Sequence, residues 1–172
     1  MANKALFIKL SELKKKSIIA GNLDPDKLVQ FVEVAQDTHI QNYLGGKLYK
    51  KLQELIIAGT IDDAGNEDYK TLVDDYIKPM LIWFSQADYI PFAAFQISNG
   101  GVYKHRSENS DTVSMDELNM LAARALETAE FYTRRFVDYM DFYSQLYPEY
   151  TTTSNDDMHP DRDVNFGGIY LG

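Results

Sequence analysis

Apolar residues recur along this chain at steps of three and four, and that spacing lays out a series of amphipathic helices. Leu28, Phe31, Val32, Ala35 and His39 form one such face behind Asp24-Pro25, a helix start with Asp24 as the cap and Pro25 at the first helical position. Gly45-Gly46 interrupts the pattern, so two short helices are expected to follow each other around a glycine corner. Leu48, Leu52, Leu55 and Ile56 restart it up to Gly59, placed to adopt a left-handed helix cap. After the turn cluster TIDDAGNE, a third face opens with Tyr69, Leu72, Val73, Tyr76 and Ile77. Its continuation, Met80, Leu81, Trp83, Phe84 and Ala87, is the most core-like stretch of the chain. Pro79 and Pro91 each remove an amide donor and crowd the carbonyl four residues back, so a break or kink is expected near 78 and near 90.

Residues 98–113 carry Gly, Ser and Asn around a short extended piece, Val102 to His105, which predicts a loop or small hairpin with Asn99-Gly100-Gly101 as its turn. Ser114 and Glu117 have capping-box spacing. Behind them Leu118, Leu121, Ala125, Ala129, Tyr132, Phe136, Met140 and Tyr143 line one side of a long helix, with Glu117, Arg124, Glu127, Arg134, Asp138 and Asp141 on the other, until Pro148. About 33 residues at about 1.5 Å each make a rod of roughly 50 Å, against roughly 40 Å for a compact domain of this size. The rod is expected to overhang at its aromatic end. Phe131, Tyr132, Tyr139, Phe142 and Tyr143 are therefore candidate subunit-interface residues.

The expected fold is all-α: a bundle of four to five helices with one long C-terminal helix, the loop or hairpin at 98–113, and extended arms at both ends. Residues 1–20 read as an N-terminal arm with five Lys and one Glu, residues 21–148 as the helical domain, and residues 149–172 as a C-terminal tail. The tail is polar and acidic and lacks a helical period, but ends in Val164, Phe166, Ile169, Tyr170 and Leu171. A polar tether with an apolar, β-prone end suits a peptide that orders on a partner, and these five residues are the candidate partner-binding set.

Composition narrows the function. With 172 residues, 45% of them hydrophobic, the chain can bury a core of its own, and its net charge of -9 is the wrong sign for gripping phosphate backbones. Lys14 to Lys16 and Lys104-His105-Arg106 read as small solvated patches. There is no cysteine, hence no disulfide frame, thiol nucleophile or thiolate zinc site. The N-terminus lacks the pattern of a secretion signal. The apolar run from Met80 to Ile97 is interrupted by Gln86, Asp88, Pro91 and Gln96, and a central Asp alone costs roughly 2.5–3.5 kcal/mol on insertion, so it reads as a buried helix rather than a membrane span.

Candidate chemistry is sparse. His39, His105 and His159 are far apart and form no local metal motif. The cluster Asp156, Asp157, His159, Asp161 and Asp163 has oxygen and imidazole donors but reads first as a solvated tail, and Ile61 to Asp68 lacks the ligand spacing of a calcium loop. No nucleophile elbow or phosphate cradle occurs. Asp88, set in the most apolar segment, is either a perturbed acid or a carboxylate with a hydrogen-bonding partner, and no second converging group is evident. No catalytic, cofactor or metal residue is assigned.

Four strings, LSELKKKSIIAGNLDPDKL, VAQDTHIQNYLGGKLYKKLQELI, YIKPMLIWFSQADYIPFAAFQISNGGV and the capped long helix, together resemble head-tail connector, or adaptor, proteins of tailed bacteriophages, especially neck ring proteins of crAss-like phages. The resemblance covers residues 1 to about 147, is most specific from Ala35-Gln36 through Gly45 and over Lys47-Leu48-Tyr49, and does not reach the tail. It implies a non-enzymatic virion protein of the neck, assembled in the host cytoplasm. This homo-oligomeric ring, usually of about twelve subunits, would sit below the portal protein, touch an adjacent neck or tail protein and pass genome DNA through its lumen without sequence-specific binding or membrane contact. The alternative class is a helical protein-interaction or scaffolding module.

Overall fold

A computed structural model of the chain describes residues 4–17, 25–93, 95–98, 101–104, 114–152 and 157–163. Helix α1 spans Leu10–Lys16, α2 Pro25–Ala35, α3 Gln41–Ala58, α4 Glu67–Thr71 and α5 Lys78–Ala93. Strands β1 (Phe95–Ser98) and β2 (Gly101–Lys104) follow, then α6 (Met115–Tyr143), a 3₁₀ turn (Ser144–Leu146) and α7 (Pro148–Thr151). The architecture is the expected helical bundle with a long helix near the C-terminus. Asp24, the expected cap of α2, lies outside the described residues.

Two widened π turns join the helices in line, Gln36–Ile40 between α2 and α3 and Leu72–Ile77 between α4 and α5. The second answers the expected irregularity near 78: the Lys78 amide donates five residues back to Val73, and the helix runs on through Pro79 without a break. Pro91 sits in the last turn of α5, which ends at Ala93. At Gly45 the backbone leaves the helical region, with φ 71° and ψ 166°, and α3 bends there. Gly59 closes α3 in the left-handed conformation, φ 70°, as its place after the last apolar repeat predicts.

The hairpin starts at Phe95, earlier than the window read from sequence. Phe95 pairs antiparallel with Lys104 and Ser98 with Gly101, and Asn99 and Gly100 of the expected turn lie outside the described residues. The capping box of α6 is present, with Ser114 Oγ accepting from the Glu117 amide and Glu117 accepting from the Ser114 amide.

The core gathers Leu28, Val32, Ile40, Leu44, Leu48, Leu52, Leu72, Ile77, Leu81, Phe84, Phe136 and Met140 from every major helix. Helix α6 has 29 residues, about 43 Å, and its two halves are supported differently. Its C-terminal half is embedded: Phe136 and Tyr147 are fully buried, and Tyr139 stacks on Tyr76 at 4.1 Å. Tyr147 donates its hydroxyl to the Asp68 carbonyl at 2.9 Å and so receives that of Tyr139, also at 2.9 Å. The N-terminal half rests on α5 in a smaller cluster, Ala87, Ile90, Leu118 and Ala125. Among the described residues, the thinly supported half of the rod is thus the N-terminal one, opposite to the expectation, because the 3₁₀ turn and α7 fold the chain back over the aromatic end.

Candidate assembly surfaces

The sequence-predicted interface residues divide in two. Phe131, Phe142 and Tyr143 are exposed, the first two by 54% and 76%, whereas Tyr132 and Tyr139 are half-buried against the core. Phe131 lies with Trp83, Leu121 and Thr128 along a groove between α5 and α6. Met120, 64% exposed, extends the apolar surface of α6. The tail candidates Val164, Phe166, Ile169, Tyr170 and Leu171 lie outside the described residues, as do His105, Arg106 and Asp156.

A second groove runs between α2 and α5, lined by Phe31, Val34, His39, Asp88, Pro91 and Phe92. Here the structure brings together two residues that looked unrelated in sequence. The π turn carries His39 onto Phe84, where imidazole and ring stack at 4.0 Å, with Nε2 3.5 Å from the Asp88 carboxylate. Asp88 therefore sits at a groove edge with a partner. Thr38, the nearest hydroxyl in sequence, donates to the Val34 carbonyl at 2.8 Å. Among the described residues the pair has no nucleophile beside it, and no group of three or more His, Asp or Glu converges.

Sequence reasoning missed how residues 4–17 and 157–163 are held. Residues 4–17, expected as an arm, pack into the body: Phe7, Ile8 and Leu13 are core residues. Their backbone is read by two glutamines. Gln36, fully buried, accepts from the Phe7 amide at 2.8 Å and donates to the Ala5 carbonyl at 2.9 Å; Gln53 accepts from the Ala5 amide at 2.6 Å and donates to the same carbonyl at 2.7 Å. Gln36 also donates to Tyr49 Oη at 3.1 Å, and Tyr49 donates to Asp37 at 3.2 Å. Burial, with Asp37 adding to it, pushes the Tyr49 hydroxyl up to about 12.

The C-terminal segment is held at the bend in α3. An unbroken helix would have the Gly46 amide donate to the Asn42 carbonyl. With Gly45 out of the helical region, residues 157–163 take both groups: Gly46 donates to the Met158 carbonyl and Asp161 donates to the Asn42 carbonyl, each at 2.9 Å. The glycines make room. A Cβ on Gly45 would stand 2.8 Å from Pro160 Cδ, and one on Gly46 would run into the Asp157 carboxylate. Arg162 lies 5.5 Å over the ring of buried Tyr150. Burial, together with Asp161 and Asp163, raises the Tyr43 hydroxyl to about 12. A Gly-Gly pair inside an apolar repeat was the one available signal of this notch; it predicted the corner, which α3 makes at Gly45, but not the segment seated there.

Residues 40–158 match the family of unknown function DUF6712, and the chain belongs to that family. No curated protein and no solved structure matches the chain. The matched span begins beside Asn42 and ends at Met158, so the notch joins its two limits. Among the described residues, no helix is long and apolar enough to cross a membrane.

Proposed function

We propose that this chain is a structural virion protein, a head-tail connector subunit. About twelve copies form a ring below the portal in the virion neck, joining capsid to tail through the portal protein and an adjacent neck or tail protein while genome DNA passes through the lumen without sequence-specific binding. The observation that carries this reading is the uncovered apolar surface on α5 and α6, where Phe92, Met120, Leu121, Phe131 and Phe142 stand exposed beside a core that the chain fills by itself. Apolar surface of that kind marks a contact with another macromolecule.

The two grooves flanking α5 differ in chemistry, one holding the His39–Asp88 pair and the other Trp83, Leu121 and Phe131. Unlike surfaces on one subunit favour head-to-tail contacts, which close into rings when the rotation allows. The resemblance to connector proteins, strongest over Ala35 to Tyr49, supports the same reading, and an acidic chain suits a channel past which DNA slides. Mass photometry with negative-stain imaging tests it. Closed rings of about twelve 19.7 kDa subunits are expected. A chain that stays monomeric and binds a protein partner in fixed low stoichiometry would instead make it a helical interaction module.

A further inference from the structure

We propose that the notch at Gly45-Gly46 is an exchange site, filled in the assembled protein by residues 157–163 of a second copy. This deepens the ring reading and rests on it for a neighbour within reach. The notch is built to receive a peptide: a helical amide and carbonyl are freed from each other, glycine at two successive positions lets another backbone approach, and Pro160 packs against the bare Cα of Gly45. Main-chain pairing with one side chain seated beside it is how extended peptides are captured by other chains.

Two features favour a neighbour as the donor. The described chain is held through Thr152, whose amide donates to the Pro148 carbonyl at 2.9 Å, and the connection on to Asp157 reads Thr153-Ser154-Asn155-Asp156, without one apolar side chain to anchor it. Five steps of about 3.3 Å give this tether a reach of about 17 Å. Every contact in the notch is made equally well by the same residues of another copy, which is why exchange of an identical element is a low-cost route to assembly. The segment would also carry Val164, Phe166, Ile169, Tyr170 and Leu171 onto that neighbour.

Two full-length variants test the exchange. Gly45→Val blocks the notch, its Cβ falling on the Pro160 ring and the Met158 carbonyl, and leaves the segment intact, whereas Asp161→Pro removes the amide given to Asn42 and leaves the notch intact. Each alone is expected to lose assembly while keeping wild-type helical circular dichroism, and mixing them is expected to yield a 1:1 heterodimer by native mass spectrometry. Two folded variants that form no heterodimer would overturn the exchange. Should either variant misfold, Asn42→Cys with Asp161→Cys in the cysteine-free chain serves instead: disulfides joining two chains support exchange, and disulfides closed within one chain overturn it. Wild-type rings with only intrachain disulfides would contradict the exchange alone; a monomer at every concentration with intrachain disulfides would contradict the ring as well.

Discussion

Two segments, residues 4–17 and residues 157–163, are strapped to α3 and the π turn before it by different chemistry. The N-terminal segment is gripped by side chains: Gln36 and Gln53 fix the backbone of Ala5 and Phe7 while Phe7, Ile8 and Leu13 fill the core. The C-terminal segment is gripped by backbone, through one amide and one carbonyl released at Gly45, with Pro160 and Arg162 resting on the surface around it. Buried amide clamps among apolar neighbours open only when the core opens. Two backbone hydrogen bonds at a helix bend open locally. The first segment therefore belongs to the fold, and the second is the one that the proposed exchange would use.

The largest effect is expected where the first strap is core. Phe7→Ala should lower stability by about 3–5 kcal/mol, as for other fully buried aromatics, measured by urea unfolding. A shift below about 1 kcal/mol would mean that residues 4–17 are an appendage after all. Next comes Gln36→Ala, which strands the Phe7 amide in a buried site and should cost about 1–3 kcal/mol. Gly45→Ala should act differently. Its backbone, φ 71° and ψ 166°, is open essentially to glycine, and with the clash against Pro160 this disfavours the closed notch by about 1–3 kcal/mol; the expected result is faster proteolysis after Thr152 with a nearly unchanged melting temperature. Equal loss of stability in Gly45→Ala and Phe7→Ala would erase the contrast between the ends.

A smaller effect follows from the tyrosines. Tyr43, Tyr49 and Tyr69 are each raised from 10 to about 12, by burial first and then by Asp161 and Asp163, by Asp37, and by Glu149 respectively. Between pH 10 and 12 the folded chain thus holds protons that the unfolded chain has lost, so stability is fully present below pH 10 and falls as pH climbs toward 12. Urea titrations at pH 8, 10 and 11 check the sign. Asp161→Asn with Asp163→Asn should bring the Tyr43 hydroxyl part of the way down, leaving the part due to burial.

The helices were legible because their faces repeat: Leu48, Leu52 and Leu55, or Ala125, Ala129, Phe136 and Met140, declare their burial by spacing alone. Ser114 and Glu117 announced the start of α6 for the same local reason. The straps were not legible because each depends on contacts far apart in sequence. Gln36 and Gln53 look like polar interruptions until Ala5 and Phe7 arrive, and Phe7 and Ile8 read as a loose arm until the core closes around them. His39 and Asp88 meet only because a π turn rotates the imidazole onto Phe84. Helical length alone also misassigned the supported end of α6, since the fold-back of Tyr147 and Tyr150 leaves no periodic trace.

Amide hydrogen exchange on the full chain, read residue by residue at low and high protein concentration, tests most directly whether one end builds the fold and the other serves assembly. Ala5 and Phe7 are predicted to exchange only through global unfolding, at the same rate at both concentrations. Gly46 and Asp161 are predicted to exchange faster in dilute protein and to gain protection as copies associate. Equal, concentration-independent protection at all four amides would contradict the account.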